Sequence, residues 1–163
     1  MSSGAAVRGD GAQQESGMSD FRQLTEDFWA SPQIELEDVA EAKARGFVMI
    51  VNNRPEGEAE SQIPGHEIES AAKAAGLGYR AIPITHAGFS EDQVRAMVKV
   101  LNEADGPVLA YCRSGTRSTL LWALAQATQG HDPDAIASQA AEAGYEVAPI
   151  RSLIDMLAAR RTD

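Results

Sequence analysis

The chain has 163 residues, with 14 Lys+Arg against 24 Asp+Glu and a formal net charge of −10. That length suits one ordinary domain; the acidic balance excludes a phosphate-backbone binder, which needs a basic face; and no stretch approaches the ~20 apolar residues of a membrane span. The single cysteine excludes an internal disulfide and any multi-cysteine zinc site, points to a cytoplasmic location, and leaves that thiol as either inert core or chemistry.

Residues 1–18 hold Gly, Ser, Ala and Gln with almost nothing apolar, and end on a second methionine, Met18. Such a segment buries too little surface to order itself and lacks the apolar stretch of a secretory signal. It is expected to be a disordered leader or an expression remnant, which leaves 19–163 as a single catalytic domain. Phe28-Trp29-Ala30 predicts a short strand ending at Ser31-Pro32. Glu35–Arg45 has helical periodicity, with Leu36, Val39 and Ala40 on one face and Gly46 as the stop. Phe47–Val51 is a continuous apolar run, the pattern of a strand covered on both faces. A loop with Pro and Gly punctuation follows, then a helix over His66–Ala75 and a strand over Tyr79–Ile84. Ser90 reads as the N-cap of a helix over Glu91–Leu101, with Val94, Met97, Val98 and Leu101 inward. Pro107–Tyr111 is a buried strand running straight into CRSGTRS and an apolar helix reaching about Ala127. Two more helices are expected over Asp134–Ala143 and Pro149–Arg160. Trp29 and Trp122 read as core aromatics. Strands alternating with helices predict an α/β fold with a mostly parallel central sheet flanked by helices.

The chemistry is concentrated in Cys112-Arg113-Ser114-Gly115-Thr116-Arg117-Ser118. The segment lies where a buried strand ends and a helix begins, which is where ligands bind in open α/β sheets. Gly115 allows a tight loop whose backbone N–H groups form a concave anion nest. The following helix aims the positive end of its dipole there. Arg117 can fork two donors onto an oxyanion, with Arg113, Ser114, Thr116 and Ser118 around it. Such surroundings favour a Cys112 thiolate, the form that acts as a nucleophile. A lone Cys is often just a small buried hydrophobe, but two guanidiniums and three hydroxyls would have to be buried with this one.

Five segments carry a resemblance: SPQI at Ser31–Ile34, VNNRPEGE at Val51–Glu58, IPIT at Ile82–Thr85, GPVLAYCRSGTRS at Gly106–Ser118 and LWAL at Leu121–Leu124. From about Phe21 to Gly144 the chain resembles the phosphatase-like domain of the β-lactamase-hydrolase-like proteins, the DUF442 group. The resemblance implies a three-layer fold like that of dual-specificity cysteine phosphatases. It also implies a link to persulfide-handling enzymes and a partner of the metallo-β-lactamase fold. No cofactor is called for, and His66, His86 and His131 are too isolated to form a zinc cluster.

Loop length separates the chemistries. Cysteine phosphatases characteristically place five residues between Cys and Arg; here there are four, Arg113 to Thr116, a Cys-x4-Arg spacing similar to rhodaneses. A shorter ring has a smaller mouth, which suits one sulfane sulfur. A phosphatase also expects an Asp after the strand preceding the catalytic one, to protonate the leaving alkoxide. After Ile84 come Thr85, His86, Ala87 and Gly88, with no carboxylate before Glu91. His86 is the possible substitute, and a loop His without a role is the blander alternative. Arg54 and Glu58 emerge on the same sheet edge as Cys112; Glu58 or Glu56 is placed to hold Arg117, the alternative being solvated loop charge. The expected function is therefore a sulfurtransferase. A Cys112 persulfide, stabilised by the loop and Arg117, would pass sulfur from a small anionic donor (thiosulfate or a persulfide) to a thiol or cyanide-type acceptor. The alternative is a cysteine phosphatase forming a Cys112 phosphocysteine, and a third reading is a non-catalytic module that binds anions or phosphoproteins. Neither nucleic acid nor membrane is an expected partner.

Overall fold

The computed structural model describes residues 19–162; the leader expected over 1–18 lies outside them. Five strands form one sheet in the order β1-β2-β5-β3-β4. β1 (Arg22–Thr25) and β2 (Phe28–Ser31) make an antiparallel hairpin at one edge. β5 (Val108–Tyr111) lies between β2 and β3 (Met49–Asn52), and β4 (Gly78–Ala81) closes the other edge, all parallel. The mostly parallel α/β architecture expected from the alternating pattern is therefore present. β1 was not expected. Its four residues, RQLT, bury only Leu24 and carry almost no alternation, so its pairing is set by the hairpin with β2.

The helices form two further layers. α1 (Leu36–Ala44) and α2 (Gly65–Ala74) cover one face, where Ile34, Val39, Ala42, Ile68 and Ala72 pack on Ile50, Leu109 and Tyr111. α3 (Glu91–Glu103), α4 (Thr116–Thr128), α5 (Pro133–Glu142) and α6 (Arg151–Thr162) cover the other, against Phe28, Ala30, Val51, Val108 and Ala110. Consecutive β5 residues enter opposite clusters, as a strand covered on both faces must. α4 is buried on every side from Ser118 to Ala125, which is why its sequence is apolar all round. Trp122 is core, stacked on Phe28 with ring centroids 6.1 Å apart. Trp29 is only half-buried, edge-on to Phe47.

Two local expectations are corrected. Leu36 is exposed at 45% and Ala40 is exposed as well, so α1 turns Val39 and Ala42 inward; the helix starts only after Glu35, whose N–H donates to Asp38 Oδ2 at 2.7 Å. The strand expected over Tyr79–Ile84 is regular only to Ala81: Ile82 and Ile84 N–H still reach the Asn52 and Asn53 carbonyls, but Pro83 between them has no N–H to donate. Among the described residues no helix is long and apolar enough to cross a membrane.

Candidate active site

Parallel pairing brings the C-terminal ends of β2, β3, β4 and β5 to one edge of the sheet, and four loops meet there. Gln33 N–H donates to the Arg113 carbonyl at 3.2 Å, and Cys112 N–H to the Ser31 carbonyl at 3.3 Å. Asn53 N–H reaches the Tyr111 carbonyl at 2.8 Å, and Ile84 N–H the Asn53 carbonyl at 3.0 Å. These bonds fix the floor on which the Cys112–Ser118 loop stands.

Gly115 makes the loop possible. Its φ of 94° is left-handed backbone, and it is the N-cap of α4. In that conformation its N–H turns inward and donates to Cys112 Sγ at 3.1 Å. The thiol is completely buried, yet it accepts a backbone hydrogen bond at the N-terminus of α4, which is a polar setting for a sulfur. Arg113, Ser114 and Thr116 stay exposed on the rim, and Ser114 Oγ lies 3.0 Å from Thr116 Oγ1. Ser118 points the other way, fully buried, donating to Asn53 Oδ1 at 2.7 Å rather than to the thiol.

Arg117 is held from two sides. Its Nη1 donates to Glu58 Oε2 at 2.7 Å and to the Ile84 carbonyl at 2.8 Å, and Nη2 donates to Glu58 Oε1 at 3.0 Å. The bidentate contact uses the Nη edge of the guanidinium. The Nε edge is not engaged by Glu58; the Glu58 bond foremost favours the Arg117 cation, partial burial opposes it, and the neighbouring Cys112 side chain adds to the first effect. Glu58 also accepts from Arg54 Nε at 2.8 Å, and the nearly buried Arg54 continues to Gln33 Oε1 at 2.9 Å. Bonded first by Arg117 and then by Arg54, the Glu58 carboxyl is held down at about 2, against an ordinary 4.5. The other candidate carboxylate, Glu56, instead accepts from Gly65 N–H at the start of α2. His86 is exposed and forms no side-chain hydrogen bond to another described residue, so the fold does not bring it into this network.

Two residues of the site escaped sequence reasoning. Asn53 is fully buried, and its Nδ2 donates to the Ile82 carbonyl at 2.8 Å, so one side chain ties β3, the loop after β4, and α4 together. Its signal was an Asn pair directly after an apolar strand, a polar residue where the core pattern should continue. Tyr145, after α5, donates to the Ser114 carbonyl at 3.1 Å. No local pattern announces it, since it lies 31 residues downstream.

Residues 20–129 match the family described as beta-lactamase hydrolase-like protein, phosphatase-like domain. The chain belongs to that family. The phosphatase-like domain is 39% identical over 95 residues to the beta-lactamase hydrolase-like protein of Agrobacterium fabrum, covering 58% of this chain and 22% of that protein. It thus spans about a fifth of the length of the curated relatives it matches. A candidate phosphatase from Neisseria meningitidis superposes with a TM-score of 0.76 at 32% identity, covering 86% of this chain and 99% of that one. Pseudomonas aeruginosa TpbA, in a structure bound to phosphotyrosine, superposes with a TM-score of 0.62 over 93% of this chain and 95% of that one; at 16% identity it shows the fold alone. The family match and the Neisseria meningitidis likeness favour the phosphatase alternative over the sulfur transfer expected from loop length.

Proposed function

We propose that this phosphatase-like domain is a cysteine-dependent phosphomonoesterase. The observation that carries this reading is the Gly115 N–H donating to Cys112 Sγ beside an Arg117 whose guanidinium is anchored by Glu58 and the Ile84 carbonyl. A tetrahedral dianion would rest on the loop N–H groups and the Nε edge of Arg117. The Cys112 thiolate attacks phosphorus, the P–O bond to the leaving group breaks, and a phosphocysteine forms. Water then attacks phosphorus, the P–S bond breaks, and inorganic phosphate leaves with the thiolate restored. Arg113, exposed at the rim, attracts the anion against an acidic background.

The leaving oxygen needs a proton in the first step. No carboxylate stands between Ile84 and Glu91, and His86 or solvent takes that part. A weak acid matters least when the leaving group is already stable, so aryl phosphates should turn over far faster than alkyl phosphates. Hydrolysis of an aryl phosphate, abolished in Cys112→Ser, is the test.

A second reading rests on one specific observation. The loop has only four residues between Cys112 and Arg117, the spacing that suits a persulfide. Intact mass after thiosulfate treatment separates the two. A cyanide-labile gain of one sulfur, absent in Cys112→Ser and without aryl-phosphate hydrolysis, would establish sulfur transfer instead.

A further inference from the structure

Tyr145 lies outside the span that matches the family, residues 20–129, yet it touches the nucleophile's loop. α5 ends at Glu142, its C-cap Ala143 leads into a reversal at Gly144 (φ 94°), and Tyr145 N–H closes the turn on the Ala140 carbonyl at 2.9 Å. The ring is 95% buried, with the Arg22 guanidinium of β1 5.3 Å from its centroid on one side. On the other, the hydroxyl fills the space beneath Gly115: a Cβ there would overlap it and stand 2.9 Å from Cζ.

The carbonyl that accepts from Tyr145 and the N–H that donates to Cys112 Sγ are two ends of the same peptide, Ser114–Gly115. We infer that Tyr145 is a positioning residue for the nucleophile: its hydroxyl polarises the Ser114–Gly115 peptide and so strengthens the Gly115 N–H bond to the Cys112 thiolate. Hydrogen bonds in series strengthen one another by roughly 10–30% each. The effect is largest where the terminal acceptor is an anion, since charge-assisted bonds are the strong ones. The phenol stays protonated for this role. Burial foremost discourages its ionisation; Arg22 opposes that, and Asp20 and then Cys112 add to it. The charged and titratable neighbours are Arg117 on the Cys112 side, backed by Glu58, and Arg22 and Asp20 around the ring.

This inference rests on Cys112 acting as a thiolate, and its test needs no turnover. The chain has one cysteine, so its thiolate absorbance can be titrated with Cys112→Ser as the blank. In Tyr145→Phe the midpoint should move up by a few tenths of a pH unit, with alkylation at neutral pH slowed roughly two- to threefold. Fluorotyrosine labelling, which makes the phenol a stronger donor, should move the midpoint the opposite way; labelled Tyr145→Phe should not show that displacement. Should Tyr145→Phe fail to fold, the direction of the label effect decides. Coincident midpoints for wild type and Tyr145→Phe, or no movement on labelling, would overturn the inference whatever happens to the melting temperature. A displaced midpoint in a protein that hydrolyses no phosphate would leave it standing and remove the phosphatase reading alone.

Discussion

Gly115 carries two constraints that would satisfy few other residues. Its backbone is left-handed, and the volume a Cβ would need is occupied by the Tyr145 ring and hydroxyl. A non-glycine residue held in that conformation costs roughly 1–3 kcal/mol before any overlap is counted. Gly115→Ala should therefore lower the melting temperature measurably and, by displacing the N–H from Cys112 Sγ, reduce turnover more than stability. Arg117 differs, because its position depends on two partners from two other loops, Glu58 and the Ile84 carbonyl. Glu58 is not a solvated loop charge but a carboxylate bonded by two guanidiniums.

Among the elements, α4 and α5 divide the work of building the site. α4 is locked in the core along nearly its whole length, so its N-terminus is a rigid base for the loop. α5 is more peripheral, with only Ile136 and Ala140 buried, and depends more on its ends. Asp132 caps it by accepting from Ala135 N–H at 3.0 Å, with Pro133 at the first turn. Asp132→Ala should cost about 1 kcal/mol in chemical denaturation. Because Tyr145 follows the C-terminal turn of α5 and is tied to it through the Ala140 carbonyl, the same variant should loosen the Ser114 contact, seen as faster amide exchange there than in α4. The helices and their caps were legible in advance, since Ser90, Asp132-Pro133 and the glycine stops are local signals. Strand ends were less so, being set by which neighbour still offers a hydrogen-bonding partner.

Across the whole molecule the net charge is −10, and against it Arg54 and Arg117 meet at one sheet edge on Glu58, with Arg113 exposed on the rim of the same loop as Arg117. Glu58 joins the loop after β3 to α4, so its ionisation is linked to folding. Its folded value of about 2 lies below its ordinary 4.5. The contribution is therefore fully present above 4.5 and is lost as pH falls towards 2. Thermal melts of wild type and Glu58→Gln should differ by a constant margin at neutral pH, and the gap should close as the solution is acidified through that window. A gap that persisted at the acid end would mean that the carboxylate charge is not what holds Arg117.

The chain's layers and the address of its reactive loop could be read without coordinates, because hydrophobic period, glycine and proline punctuation, and the CRSGTRS run are properties of neighbouring residues. The mostly parallel α/β sheet follows from them, whereas the family and the phosphatase-like three-layer arrangement rest on the resemblance carried by five separate segments. Which carboxylate meets Arg117 could not be read that way. Glu56 and Glu58 are two positions apart in one loop, and the path of that loop sends the first to α2 and the second to an arginine 59 residues away. Asn53 and Tyr145 were hidden for the same reason, their partners standing 65 and 31 residues off. Such contacts are made by packing, which brings together side chains whose local patterns carry no trace of one another.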